Sequence, residues 1–160
     1  MSTENGDGTQ QNLLVGVSNP DTAPHLIELA GMIAGYAGYN VVATHIVIAP
    51  PQVALSSMRG SQEIAESRNV LMKAIEAGER VSVDVRGVVE VAREVDQGLI
   101  SAARNQDAAM LLVGFSGLAD DSAEKTFDRI MHRVARETES DLVIEKYRRE
   151  TESSILVTVA

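Results

Sequence analysis

Two short segments hold the residues best placed to grip or transform a ligand: Val17-Ser18-Asn19-Pro20 and Gly114-Phe115-Ser116-Gly117. Glycines in the turn after a strand let backbone amides approach a phosphate, and the start of the next helix adds a favourable dipole. With Leu118, the second segment nearly matches the Gly-x-Ser-x-Gly elbow that lifts a nucleophilic serine toward a histidine, but leucine stands where the second glycine belongs. His25, His45 and His132 fall on different elements, and none has the setting of a triad base. Serine hydrolysis is therefore not expected. His132 follows Asp128 by four residues, a spacing that on a helix makes a surface pair or half of a metal site. Asp120-Asp121 on a polar loop reads as solvated, and Tyr147-Arg148-Arg149-Glu150 as a mixed-charge connector. A lone histidine within a strand, as at His45, reads as a core residue whose hydrogen bonds are met.

The elements that must position these turns follow from apolar periodicity. Leu13 to Val17 is an apolar run closed by Ser18-Asn19-Pro20-Asp21, a buried strand followed by a turn. Asp21 or Thr22 caps a helix over Ala23 to Ala37, where Leu26, Ile27, Ala30, Ile33 and Ala34 recur at helical spacing; Gly31, Gly35 and Gly38 among them suit close packing. Val41 to Ile48 is a β-branched strand ended by Ala49-Pro50-Pro51, and Glu63 to Ala77 an amphipathic helix. Further strands are expected over Val81 to Val89, Ala109 to Val113 and Leu142 to Ile144, with an apolar run over Ile155 to Val159. Helices are expected over Val91 to Asn105, weakened by Gly98, and over Phe127 to Thr138 after a polar loop from Leu118 to Lys125. Strands alternating with helices in this rhythm make an α/β fold, an open parallel β-sheet with helices on both faces. In such sheets ligands bind beyond the carboxyl ends of the strands, where the turns after the first and fourth meet.

Composition bounds the function. A chain of 160 residues, 44% hydrophobic, supports one core and hence one domain over residues 13–160 behind a polar tail, Met1 to Asn12. That tail lacks the basic and apolar regions of a secretion signal, and the longest apolar stretch, Leu26 to Tyr39, falls short of the roughly 20 residues a membrane span needs. The absence of cysteine excludes disulfides and thiol chemistry and suits a cytoplasmic location. A net charge of −9 argues against nucleic acid as a partner and suits a protein kept soluble at high salt. The final run, Ile155-Leu156-Val157-Thr158-Val159, repeats the Leu, Val and Val of the first strand, as the start of a second repeat or a strand exchanged within a dimer would.

From Leu13 to about Lys146 the chain resembles the universal stress protein family, an adenine-nucleotide α-hydrolase-like fold. The resemblance rests on the strand order, on Thr44-His45-Ile46 where such proteins often carry Leu-His-Val, and on the Gly114 to Gly117 turn. It implies a nucleotide-like site at Gly16, Val17 and Ser18 after the first strand, Ile46 on the second, Val113, Gly114, Ser116 and Gly117 after the fourth, and Asp128, Arg129 and Ile130 on the last helix. Nucleotide-binding members carry a third glycine and a hydroxyl residue where alignment of the last helix and strand puts Asp128 and Arg129. A carboxylate about 4 Å from a phosphate repels it by ~4 kcal/mol at an effective dielectric near 20. Ser18 likewise stands where an Asp commonly touches the ribose. The resemblance thus implies a degraded ATP site, which Asp128→Gly with Arg129→Ser should restore.

The Val17-Ser18-Asn19-Pro20 turn is similar to that of stress-protein domains appended in tandem to amino-acid transporters. The expected function is accordingly a regulatory or sensor domain without catalysis, metal or obligatory cofactor. Its expected partners are a second copy, a membrane transporter or a second stress-protein domain. The alternative is an ATP-binding stress-response switch with slow hydrolysis. Such domains pair through their last strands, so Leu142 to Tyr147 is expected at a dimer edge.

Overall fold

The computed structural model describes residues 10–115 and 121–146 and the backbone of 154–158. Leu13, Leu14 and Val15 of β1 (Asn12–Gly16) are completely buried, as a continuous apolar strand must be when both faces of its sheet are covered. Around it the order is β3-β2-β1-β4-β5-β6, with β2 Asn40–Ile48, β3 Val85–Ala92, β4 Ala108–Phe115, β5 Asp141–Lys146 and β6 Ser154–Thr158. The first five strands are parallel. β6 runs antiparallel to β5, a departure from the all-parallel expectation that its short connection permits.

Side-chain alternation divides the core. Leu13, Val15, Val41, Ala43 and Val143 pack under α1 (Ala23–Ala37) and α2 (Gln62–Arg80). Leu14, Val42, Leu111, Leu142 and Ile144 pack under α3 (Val95–Asn105) and α4 (Asp121–Glu137). The chain builds outward from β1 through β2 to β3, then resumes on the other side with β4, so its direction of growth reverses between β1 and β4. That reversal opens a crevice at the strands' carboxyl ends.

Several boundaries differ from the sequence reading for identifiable reasons. β3 begins four residues later than expected, because α2 runs on to Arg80 and Ser82 turns the chain with a φ of 59°. α3 begins at Val95 because Glu94 is still extended. Gly98 belongs to α3 by necessity: a Cβ there would lie 2.4 Å from Ile46 Cγ2, so only glycine lets this helix approach β2 so closely. Gly31 likewise faces Val83, whereas Gly35 meets open space. The loop after β2 contains a short 3-10 helix, Leu55–Gly60, whose Met58 packs against Val47 and Ala49. Thr22 occupies the cap position of α1, yet its hydroxyl donates to the Asn19 carbonyl and makes no capping bond.

Two corrections bear on function. α4 is already helical at Asp121, so the expected polar loop is helical from there on; its polarity belongs to a solvent face, and Asp121 and Glu124 favour the positive end of the helix dipole. β5 is not an edge strand, since β6 pairs along it from Leu142↔Thr158 to Lys146↔Ser154.

Candidate functional site

At the carboxyl ends of β1, β2 and β4, on the α3/α4 face, lies a cavity of about 330 Å³. Gly16 follows Leu14 on this face, and a Cβ added to it would point at Val113 Cγ1 (3.1 Å) and Leu99 Cδ2 (3.3 Å). Its register partner on β2 is Thr44, which falls between Val42 and Ile46 on the same face. Thr44 is fully buried, and its Oγ1 has no hydrogen-bond partner among the described residues. A buried hydroxyl left in that state costs about 1–3 kcal/mol. Val95 and Leu99 of α3 and Ile130 and Met131 of α4 form the walls. Phe115 and Phe127, the chain's two phenylalanines, stack over the site with ring centroids 4.4 Å apart.

Of the residues singled out from sequence, Gly16, Val17, Ser18, Ile46, Val113, Gly114 and Ile130 all line this cavity. Ser116 and Gly117 lie outside the described residues, as do Asp120 and the Tyr147 to Glu150 segment. Asp128 and Arg129 are exposed and do not line it. They sit about two turns inside α4, where each amide is committed to the helix's own hydrogen bonds. Glycine and serine at 128 and 129 would therefore free no amide for a phosphate. Sequence reading missed Thr44, Val95, Leu99, Phe115, Phe127 and Met131 as lining residues. The turn after β4 pointed at Phe115, and the 127/130/131/134 spacing on α4 pointed at Phe127 and Met131.

No ionisable side chain among the described residues lines the cavity. Arg133 donates to Asp96 (2.8 Å), Glu137 (3.0 Å) and Glu94 (3.3 Å), tying α4 to the start of α3. Its hydrogen bonds to Glu137 and then Asp96 hold its guanidinium more firmly charged than usual. The three histidines are far apart in role. His45 Nδ1 donates to the Val17 carbonyl at 2.7 Å and steadies the end of β1. His25 Nε2 donates to Glu145 Oε1 at 2.7 Å, joining α1 to β5 on the opposite face of the sheet. His132 is exposed on α4. Among the described residues no three His, Asp or Glu side chains converge as metal ligands.

A parallel sheet reversing between β1 and β4, with this cleft at the reversal, agrees with the comparison to known families: the universal stress protein family matches residues 10–146. The chain belongs to that family. Among solved structures, a universal stress protein from Archaeoglobus fulgidus in complex with dAMP is 15% identical, with a TM-score of 0.63 over 84% of this chain and 96% of that one. A universal stress protein in complex with cAMP is 19% identical, with a TM-score of 0.65 over 84% and 95%. A member from Arabidopsis thaliana with AMP bound is 13% identical, with a TM-score of 0.59 over 88% and 94%. These likenesses establish the α/β fold. No curated protein matches the chain significantly. No helix among the described residues of this stress-protein domain is long and apolar enough to cross a membrane.

Proposed function

We propose that this stress-protein domain is a cytoplasmic regulatory or sensor module that works without covalent catalysis and does not hold ATP tightly. The observation that carries the reading is the course of α4: it runs unbroken through Asp128 and Arg129, so the backbone that would complete a phosphate cradle is already hydrogen-bonded. The three neighbouring structures bind dAMP, cAMP and AMP, which share an adenine nucleoside, and a cavity of about 330 Å³ lies within the usual range for small-ligand sites. These observations support a cleft that takes a ligand of nucleoside size, and the unbroken helix at Asp128 and Arg129 supports the absence of a phosphate cradle there.

The reading extends to partners. The Val17-Ser18-Asn19-Pro20 turn supports a membrane amino-acid transporter or a second stress-protein domain as the regulated partner, and the outer edge of the sheet supports a homodimer. Titration calorimetry with ATP and magnesium, on protein checked by mass spectrometry for retained nucleotide, tests the central claim. The expected result is no binding up to millimolar ATP. Micromolar binding would replace this reading with an ATP-dependent switch.

A further inference from the structure

On the outer face of α1, Tyr36 is 97% exposed and Met32, one turn earlier on the same stripe, is 68% exposed. We propose that this face pairs with α1 of a second copy across a two-fold axis, Tyr36 of each copy seating in the groove beside Gly35 of the other. Tyr36 and Met32 form a bare apolar ridge. Next to it lies a groove of about 570 Å³ whose lining includes Gly31, Gly35, Gly38 and Val83. Gly31 has a use within the chain, because a Cβ there would lie 2.7 Å from Val83 Cγ2. Gly35 has none, because a Cβ there would meet nothing within 4 Å. A glycine inside a helix costs stability relative to alanine, and a close approach from outside the chain is what would give Gly35 a role.

Charge permits a second copy here, and shape selects it. The chain carries a net charge of −9, so copies repel wherever their acids meet, yet no Asp, Glu, Lys, Arg or His lies between Leu29 and Asn40. The charged residues in the groove's described lining, Asp84 and Arg86, are opposite in sign. Ridge and groove lie side by side along one helix, so a two-fold axis across α1 sets each ridge into the other copy's groove, the self-complementarity that an isologous contact requires. A large aromatic side chain buries about 150–250 Å². Two copies of Tyr36 and Met32, with the surface they cover, bring the contact near the ~1,000 Å² that a specific interface needs. A contact of that size is weak. It lies on a helix face rather than on the sheet edge, so it would join edge-paired dimers into tetramers as concentration rises.

Because the chain has no cysteine, a single introduced one reports the pairing directly. Under mild oxidation the full chain carrying Gly35→Cys is expected to run as a disulfide-linked dimer on a non-reducing gel. Gly60→Cys, where an added Cβ likewise meets nothing within 4 Å, should stay a single chain. Sedimentation of the parent should show an association step between about 10 μM and 1 mM protein. Tyr36→Ser should weaken that step by about tenfold or more. Gly35→Glu, which brings two carboxylates together at the axis, should abolish it without lowering the melting temperature or dissolving a dimer formed through the sheet edge. No such step in the parent, a step unchanged by Gly35→Glu, or equal cross-linking at positions 35 and 60 would overturn the proposal and leave this face to another segment of the chain or to another protein.

Discussion

Asp128 and Arg129 show how a residue's role depends on the element that carries it. Read along the chain by resemblance they occupy a phosphate loop; in the fold they are exposed helix-interior residues outside the cavity. The double variant Asp128→Gly with Arg129→Ser is accordingly expected to leave ATP binding undetected by calorimetry and to lower the melting temperature by a degree or two, because glycine is the poorer helix former by a few tenths of a kcal/mol. A gain in ATP affinity would mean that α4 opens at this point. Gly16 and Thr44 work in the opposite direction. Neither residue type signals a ligand, yet they stand side by side in the parallel register of β1 and β2 and both line the cavity. Sequence reading reached Gly16 through the turn after β1 but passed over Thr44, since a hydroxyl inside a β-branched run looks like any other strand residue.

Elements were legible wherever their signal is local. α1 was expected over Ala23 to Ala37 and spans those residues, and β2 ends at Ile48 ahead of the prolines, as expected. The misread boundaries lie where tertiary contact overrides local preference. Gly98 argued against a helix, but the close approach of α3 to Ile46 demands it. Gly98→Ala should therefore destabilise the protein by about 1–3 kcal/mol, through overpacking that outweighs the gain in helix propensity. Gly35→Ala, with nothing within 4 Å of the added methyl, should stabilise by about 0.5–1 kcal/mol. Denaturant melts of the two variants give this contrast directly, and a common sign would show that α3 does not depend on the contact. The polar start of α4 was misread because acids and lysine on a solvent face produce the same composition as a loop.

For the molecule as a whole, the order of strands decides which edges remain for assembly. β6 takes the outer side of β5, leaving β6 and β3 as the edge strands among the described residues. A homodimer formed through that side of the sheet would use β6, and a chain ending at Lys146 would expose the unpaired backbone of β5 instead. Sedimentation should find the full chain dimeric at micromolar concentration and the shortened chain in larger or heterogeneous assemblies. A full chain that stays monomeric would remove the proposed dimer.

The sequence by itself determined the α/β class, the alternation of strands and helices, the absence of thiol chemistry and the turns at which a ligand site would lie. Each of these depends on residue type or on spacing within one element, and such information is local. Only the tertiary structure decided that the chain is already helical at Asp121, that β6 closes the sheet antiparallel, and that Gly16, Thr44, Leu99 and Phe127 line one cavity. Those outcomes depend on strand register, on which face each side chain takes and on contacts between residues distant in the chain. A one-residue change of register would turn Thr44 to the other face of the sheet, and no local pattern in the sequence records that choice.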